Sequence, residues 1–159
     1  MALEDAKRQI DRAFTGELKG PAFENAFAGA TSFLRRRYRK DATGADVAVL
    51  GVPFDQAVTH RAGARFGPRA IREASTLQPY DPPWGWPFDP LAELAVVDAG
   101  DLAFDYARTA AFPAALTARI GELLAQGAAT LALGGDHSIT LPILRAQAAA
   151  QGPLAVVQF

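Results

Sequence analysis

The stretch from Thr130 to Thr140, TLALGGDHSIT, constrains the fold of this chain more than any other. It opens with a short apolar run that has a helix-length amphipathic segment on either side, a pattern typical of a buried parallel strand. The two glycines that follow let the backbone turn sharply and approach a ligand closely. Open α/β sheets bind their ligands at the carboxyl ends of the strands. We therefore expect Asp136, His137 and Ser138 to lie at the functional edge of a sheet.

Further apolar runs predict the other strands of this sheet. They are Val47–Val52, Leu94–Val97 and Leu154–Val157. Helical segments lie between them, and parallel β-α repeats with right-handed crossovers bury a sheet under helices on both faces. The predicted fold class is therefore α/β, with three α/β/α layers and a mainly parallel sheet.

Helical spacing of apolar residues predicts the segments that connect these strands. One helix starts near Gly67, with Pro68 in its first turn and Ile71 and Ala74 facing inward. The other predicted helices run from Phe112 to Gln126 and from Ser138, the expected N-cap, to Ala150. Residues 1–45 are predicted to form an arm, helical over Ala2–Phe14, and an irregular segment, and residues 46–159 to form the β-α repeats.

The composition of the chain excludes several classes of function. Its 159 residues, of which 50% are hydrophobic, suffice for one globular domain with a core. A net charge of −1 gives no general attraction to nucleic acids or membrane surfaces. Without cysteine, neither disulfides nor thiolate chemistry can operate. Neither a signal peptide nor an apolar stretch long enough to span a membrane is apparent, which favours a cytoplasmic protein.

Several local patterns admit more than one interpretation. The basic run from Phe33 to Lys40 is interpreted as a solvated or subunit-contacting face rather than an anion site. The arginines around the Gly67 helix could bind an anion, but the glycine spacing of phosphate loops is missing. The aromatic and proline-rich segment Tyr80–Pro90 predicts a packed surface loop or a subunit contact. Asp98 and Asp101 could bind a cation, yet they are equally ordinary loop-capping residues.

The motif Gly-Gly-Asp-His-Ser before an apolar helix resembles that of the ureohydrolase family, which includes arginase, agmatinase and guanidinobutyrase. The span Gly51–Ser75 is similar to agmatinase-type members, with a strand that ends in Gly-x-Pro, an Arg-x-Gly-x-Arg-x-Gly-Pro loop and an Ala-Ile-Arg helix. The segment VVDAGDL is similar as well. The resemblance implies that His137 binds one of two manganese ions, and it gives His60 no metal role.

The resemblance also implies a reaction, the hydrolysis of a small guanidino compound such as agmatine to urea and an amine at a dinuclear manganese site. It covers nearly the whole chain but only the N-terminal half of an arginase-like fold. The other metal ligands of the family would lie beyond Phe159, so residues 1–159 are expected to be one incomplete domain that is inactive alone. No catalytic residue is assigned within the chain, and its substrate-binding residues stay unknown. Similar enzymes are trimers or hexamers, which implies a homo-oligomer.

Two other functions stay open at this point. The chain could be a non-catalytic partner or regulatory subunit that keeps the ureohydrolase fold and lacks the site. A Rossmann-like nucleotide-binding domain is disfavoured, because the Gly-x-Gly-x-x-Gly fingerprint is missing.

Overall fold

The computed structural model describes residues 13–14, 17–20, 25–77 and 82–159. These residues form a parallel sheet in the order β1-β3-β2-β4, covered by helices on both faces. The strands are β1 (Arg37–Tyr38), β2 (Val47–Val52), β3 (Val96–Asp101) and β4 (Ala129–Gly134). The predicted α/β class with a mainly parallel sheet is confirmed. Most of the helical arm predicted over Ala2–Phe14 lies outside the described residues.

Three of the helices lie where the sequence predicts them, and the short helix Pro90–Glu93 was not predicted. They are α1 (Gly67–Ser75), α2 (Pro90–Glu93), α3 (Phe112–Ala125) and α4 (Thr140–Gln151). Gly127, with φ +90°, follows α3, as expected for a residue that ends a helix. One detail is wrong: Ser138 does not cap α4, because it lies inside a 3-10 turn, His137–Ile139, which precedes the helix. The N-cap of that turn is Asp136.

Two strands differ from their predicted positions. β3 begins at Val96 and extends to Asp101, so Asp98 and Asp101 belong to the strand and not to a turn after it. β4 was expected to be buried, but it is the outer strand of the described sheet, and the side chain of Leu131 is 44% exposed. An apolar run alone does not reveal whether a strand is central or at an edge, because both kinds carry apolar residues.

The first face of the sheet packs against α3 and α4. Leu50 and Val52 of β2 and Val97 of β3 point to this face and are fully buried. The residues that α3 and α4 contribute are Leu116, Ile120, Leu123, Ile143 and Ala146. Phe54, which follows β2, stacks on Phe112 with ring centroids 3.8 Å apart. This apolar face forms the main core.

The second face packs against α1 and is partly ionic. Its small apolar cluster includes Val49, but beside it Asp98 is completely buried. Arg72 of α1 reaches this carboxylate with Nε at 2.7 Å and Nη2 at 2.9 Å, and its Nη1 donates to Asp101 at 2.6 Å. Burial by itself lowers the pKa of Arg72, but the bonds from both aspartates more than offset this, and the pKa lies above its ordinary value. Asp98 and Asp101 therefore bind an arginine.

The inward face of α1 differs from its prediction. Ile71 and Ala74 are exposed, and the buried positions are Pro68, Arg72 and Ser75. These three residues recur at helical spacing. The prediction of a helix was therefore right, and the prediction of which helix face is buried was wrong. The physical reason is the buried carboxylate of the sheet, which draws a guanidinium rather than an apolar side chain to this face.

Part of the basic run from Phe33 to Lys40 is buried and not solvated, which corrects the prediction of a solvated face, whereas a subunit contact by its exposed residues stays a prediction. Arg35 and Arg36 are 1% and 2% exposed, and Arg37 and Tyr38 form strand β1 beside β3. Backbone carbonyls accept from the buried guanidinium groups: Arg35 donates to the carbonyl of Asn25 at 2.7 Å, and Arg36 to that of Leu34 at 2.8 Å. These contacts lie within residues 25–36, and the N–H groups of Phe33 and Leu34 attach the segment to the domain by donating to Asp98 and Ser75 at 2.8 Å each.

The predicted strand Leu154–Val157 is not formed. After Gly152, whose φ is +83°, the chain continues without helix or strand, and Val156 and Val157 are mostly exposed. A strand needs a neighbour to satisfy its backbone groups, and these residues pair with none of the strands described.

The aromatic loop is described from Pro82 onward, whereas Tyr80 and Asp81 lie outside the described residues. Trp84 is fully exposed and Trp86 half exposed, so Trp84 does not pack against this chain as a packed loop would require. A subunit contact there stays a prediction. Among the described residues, no helix is both long and apolar enough to cross a bilayer.

The Arg72→Met variant tests the importance of the buried ion pair. Removing the guanidinium leaves Asp98 as an uncompensated buried charge, and breaking such a pair costs about 3 kcal/mol or more. We expect a loss of that size in the free energy of unfolding, measured by urea denaturation. Arg69→Met on the exposed side of α1 is the matched control and should change stability little. Equal effects of the two substitutions would contradict the ionic role of Arg72.

Candidate functional site at the carboxyl edge of the sheet

Strands β2 and β4 end side by side, and the segments that follow them lie together. Val52, the last residue of β2, is paired with Gly134, the last residue of β4. Next to them, the Leu102 N–H after β3 donates to the carbonyl of Gly51 at 2.8 Å. The Tyr106 hydroxyl donates to the carbonyl of Pro53 at 2.5 Å. This arrangement gathers residues 53–66, 102–108 and 135–139 at one edge of the sheet, where the sequence places the site.

The glycines after β4 allow an unusually close backbone approach. Gly135 has φ +63°, and a Cβ atom there would collide with the carbonyl oxygens of Val52 and Phe54. Gly67, the first residue of α1, is equally constrained, because its Cβ would lie 2.5 Å from the carbonyl oxygen of Gly134. The peptide bond between Gly134 and Gly135 is cis. The predicted sharp turn is therefore present, and it brings three segments into backbone contact.

Asp136 anchors the turn that follows. Its side chain is 9% exposed, and one oxygen, Oδ1, accepts from the Ser138 N–H at 2.9 Å and from the Ser138 hydroxyl at 2.5 Å. The other oxygen, Oδ2, accepts from the N–H of Ala57 at 2.9 Å. The Asp136 N–H itself donates to the carbonyl of Phe54 at 2.8 Å. Asp136 thus joins the turn to the segment after β2.

His137 lies at this edge with its side chain exposed, as the sequence predicts. Within the described residues, nothing is hydrogen-bonded to its imidazole, so a ring nitrogen is available to a ligand. The described part of the chain brings no three histidine or acidic side chains together in a way that could hold a metal ion. His137 therefore fits the role of one metal ligand, and the described residues do not complete a metal site.

Asp55 is a residue of this edge that sequence reasoning missed. Its carboxylate is buried, and it accepts from the Gly63 N–H at 2.7 Å and from Arg65 Nε at 2.8 Å. The Arg65 guanidinium and the two backbone N–H groups of Gly63 and Arg65 lower the pKa of Asp55 to about 2. Arg65 also lies over the ring of Tyr106, 5.3 Å from its centroid. The available signal was an acidic residue shortly after a strand, the same signal that drew attention to Asp136.

The remaining candidates do not join this site. Of the four arginines near the start of α1, two are engaged in ion pairs and two are exposed, so they do not converge on an anion. Arg65 and Arg72 are the paired residues, and Arg61 and Arg69 the exposed ones. His60 is exposed in the segment after β2, in agreement with its lack of an assigned role. A cavity of about 490 Å³ lies beside α1, between Tyr38, Arg69 and Asp101, and does not include His137.

Gly135→Ala tests the close approach at the site. The substitution adds a methyl group against two carbonyl oxygens at a left-handed φ, which costs about 2 kcal/mol or more. The expected result is a lower free energy of unfolding by at least that amount in urea denaturation. Gly121→Ala is the control, since its Cβ meets no atom within 4 Å in the middle of α3. It should be neutral or stabilising by up to about 1 kcal/mol.

The Asp55–Arg65 pair predicts a pH dependence of stability. The pKa of Asp55 is lowered in the folded chain, so its contribution is complete above the unfolded value of about 4 and disappears as the pH falls towards 2. Arg65→Met should therefore reduce stability most at pH 5 and progressively less down to pH 2.5, as measured by urea unfolding. Arg108→Met breaks an exposed pair with Asp105 and should show no such convergence.

The comparisons with known proteins agree with this fold. The sequence profile described as the Arginase family matches residues 45–159. An agmatinase from Chromobacterium violaceum is 48% identical over 147 residues, which are 89% of this chain and 44% of that protein. An agmatinase from Neisseria meningitidis serogroup C is 46% identical over 116 residues, 72% of this chain and 38% of that protein. The chain thus spans less than half the length of these relatives.

Solved structures show the same relationship. A hypothetical agmatinase from Burkholderia thailandensis superposes with a TM-score of 0.86 at 43% identity, over 89% of this chain and 45% of that one. Proclavaminate amidino hydrolase from Streptomyces clavuligerus gives a TM-score of 0.77 at 34% identity, over 83% of this chain and 44% of that one. With a family profile that matches most of its residues, this chain belongs to the arginase family.

Proposed function

We propose that the protein carrying this chain is an agmatinase-type ureohydrolase, which hydrolyses the guanidino group of agmatine or a related compound to urea and an amine. The observation that carries the proposal is the position of His137. It follows a glycine turn at the carboxyl edge of a parallel sheet, in a chain 48% identical to an agmatinase. Its exposed imidazole has no hydrogen-bond partner among the described residues and is available as a ligand.

In this proposal His137 binds one of two manganese ions. Manganese ions in such a site lower the pKa of water and polarise the group under attack. The other ligands would come from outside the described residues, among which no three histidine or acidic side chains lie close enough together to hold a metal ion. The 159 residues are accordingly proposed to be inactive alone. A homo-oligomeric state and a cytoplasmic location stay predictions.

The glycines and the two buried aspartates of this edge hold the backbone that carries the imidazole of His137. Gly134 and Gly135 bring the turn against β2 and α1, and Asp136 fastens it to the segment after β2. Asp55 fixes that segment in turn through Arg65. Every one of these contacts involves a backbone group or a buried carboxylate, so the position of His137 is set before any ligand arrives.

His137→Ala tests the metal role. In the protein as its gene encodes it, we expect the substitution to weaken one manganese ion more than the other, since His137 would ligate only one. Urea release from agmatine at low manganese should fall at least tenfold. The dissociation constants can be measured by titration of the metal-free protein with Mn²⁺. His60→Ala replaces the only other histidine of the chain and should change neither quantity.

Equal weakening of both ions, or none, in His137→Ala would contradict this assignment. If the encoded protein releases no urea from agmatine, guanidinobutyrate or guanidinopropionate, the enzymatic proposal fails. The alternative would then be a non-catalytic partner or regulatory subunit. Binding of the chain to an agmatinase-type enzyme, with a change in the activity of that enzyme, would support it.

A further inference from the structure

Two turns of this chain have nearly the same local geometry. In the first, Asp41 accepts through Oδ1 from the Thr43 N–H at 3.0 Å and from the Thr43 hydroxyl at 2.7 Å. In the second, Asp136 Oδ1 accepts from the N–H of Ser138 at 2.9 Å and from its hydroxyl at 2.5 Å. Such turns form wherever an aspartate precedes a serine or threonine by two residues. Local turn formation therefore does not explain what is particular to Asp136.

The difference between the turns lies in the second oxygen. Asp41 is exposed on the surface, and no hydrogen bond to its Oδ2 occurs within the described residues. Asp136 is 9% exposed, and its Oδ2 accepts from the Ala57 N–H at 2.9 Å, across 79 positions of sequence. This bond runs between the turn after β4 and the loop after β2. The carboxylate of Asp136 thus adds a side-chain link between two loops that the backbone bond from the Asp136 N–H to the Phe54 carbonyl also joins.

The residue inside this turn is His137. Its exposed ring has no hydrogen bond with any described residue, so no hydrogen bond of the ring determines where it lies. Its position follows from the backbone on either side. Asp136 holds one side through Ala57, and Ile139, 8% exposed in the main core, holds the other. Of these two supports, only Asp136 faces the edge that carries the candidate site.

We propose that Asp136 is the positioning residue for His137, acting through the bond between its Oδ2 and the Ala57 N–H. The inference rests on the proposed function, in which His137 binds a metal ion. A ligand whose direction is fixed in advance loses less freedom on binding, and groups that orient metal ligands typically change metal affinity ten- to hundredfold when they are altered. Asp136 itself touches neither substrate nor metal in this role.

The Asp136→Asn variant distinguishes the role of Oδ2, which bonds the Ala57 N–H, from that of Oδ1, which bonds Ser138. The amide oxygen of asparagine can keep the local bond to the Ser138 N–H, but its NH₂ group then faces the Ala57 N–H, and two donors cannot bond. The substitution therefore removes the side-chain bond to Ala57 and leaves both the turn and the backbone bond from the Asp136 N–H to the Phe54 carbonyl. Asp41→Asn is the matched control, because the same change there retains the Thr43 bond and has no second contact to break.

The experiment compares both variants with the encoded protein, using manganese alone as the probe. For Asp136→Asn we expect one Mn²⁺ dissociation constant to rise ten- to hundredfold and the Ala57 amide to exchange its hydrogen faster in the metal-free protein. Activity lost at low manganese should return when manganese is raised, which a general loss of folding would not allow. Asp41→Asn should show none of these changes.

The outcomes distinguish this inference from the function on which it rests. If His137→Ala weakens Mn²⁺ binding while Asp136→Asn does not, the positioning role of Asp136 is overturned and the proposed function stands. If His137→Ala leaves Mn²⁺ binding unchanged, the proposed function fails, and the positioning role fails with it. Equal weakening in Asp136→Asn and Asp41→Asn would also overturn the role of Asp136.

Discussion

The buried contact between Arg72 and Asp98 supports much of the described structure. Asp98 accepts two hydrogen bonds from Arg72 and one each from the N–H groups of Phe33 and Gly100, so its oxygens are fully satisfied without water. One side chain of β3 thereby holds α1 and the segment that leads into β1. Helix α1 begins at Gly67, which lies directly against the carbonyl of Gly134. The ionic contact therefore also fixes the start of α1, on which the glycine turn after β4 packs.

The periodicity of apolar residues in the sequence predicts most of the fold. Strand β2 and helix α3 follow from apolar runs and spacing, since their burial depends on apolar side chains alone. Several of the incorrect predictions concern charged side chains. Arg35 and Arg36 are buried although backbone carbonyls accept from only some of their guanidinium N–H groups. Arg72 faces inward because the carboxylate of Asp98 lies on that face of the sheet. Hydrogen bonds to backbone carbonyls or to a distant carboxylate leave no periodic pattern in the sequence, so these arginines were predicted to be exposed to solvent.

The sequence predicted where the candidate site lies, but it did not predict which residues hold the turn that carries His137. Strand ends and paired glycines placed His137 at the correct edge, because the carboxyl ends of parallel strands meet there. The residues that hold it were not evident, since Asp55 and Asp136 act on backbone N–H groups that every residue possesses. A pattern of residue types cannot reveal such contacts. Only the three-dimensional path of the loop after β2 shows that its amides point towards these carboxylates.

That loop is fastened to the protein by its backbone, with consequences for how it can change. Its amides at Ala57, Gly63 and Arg65 are bound by carboxylates, whereas the side chains of residues 59–62 are exposed. Substitutions among those four residues leave the anchoring bonds intact, so the path of the loop and its surface chemistry are separable. Evolution or a mutant library can therefore vary the lining of this edge without rebuilding the scaffold beneath it.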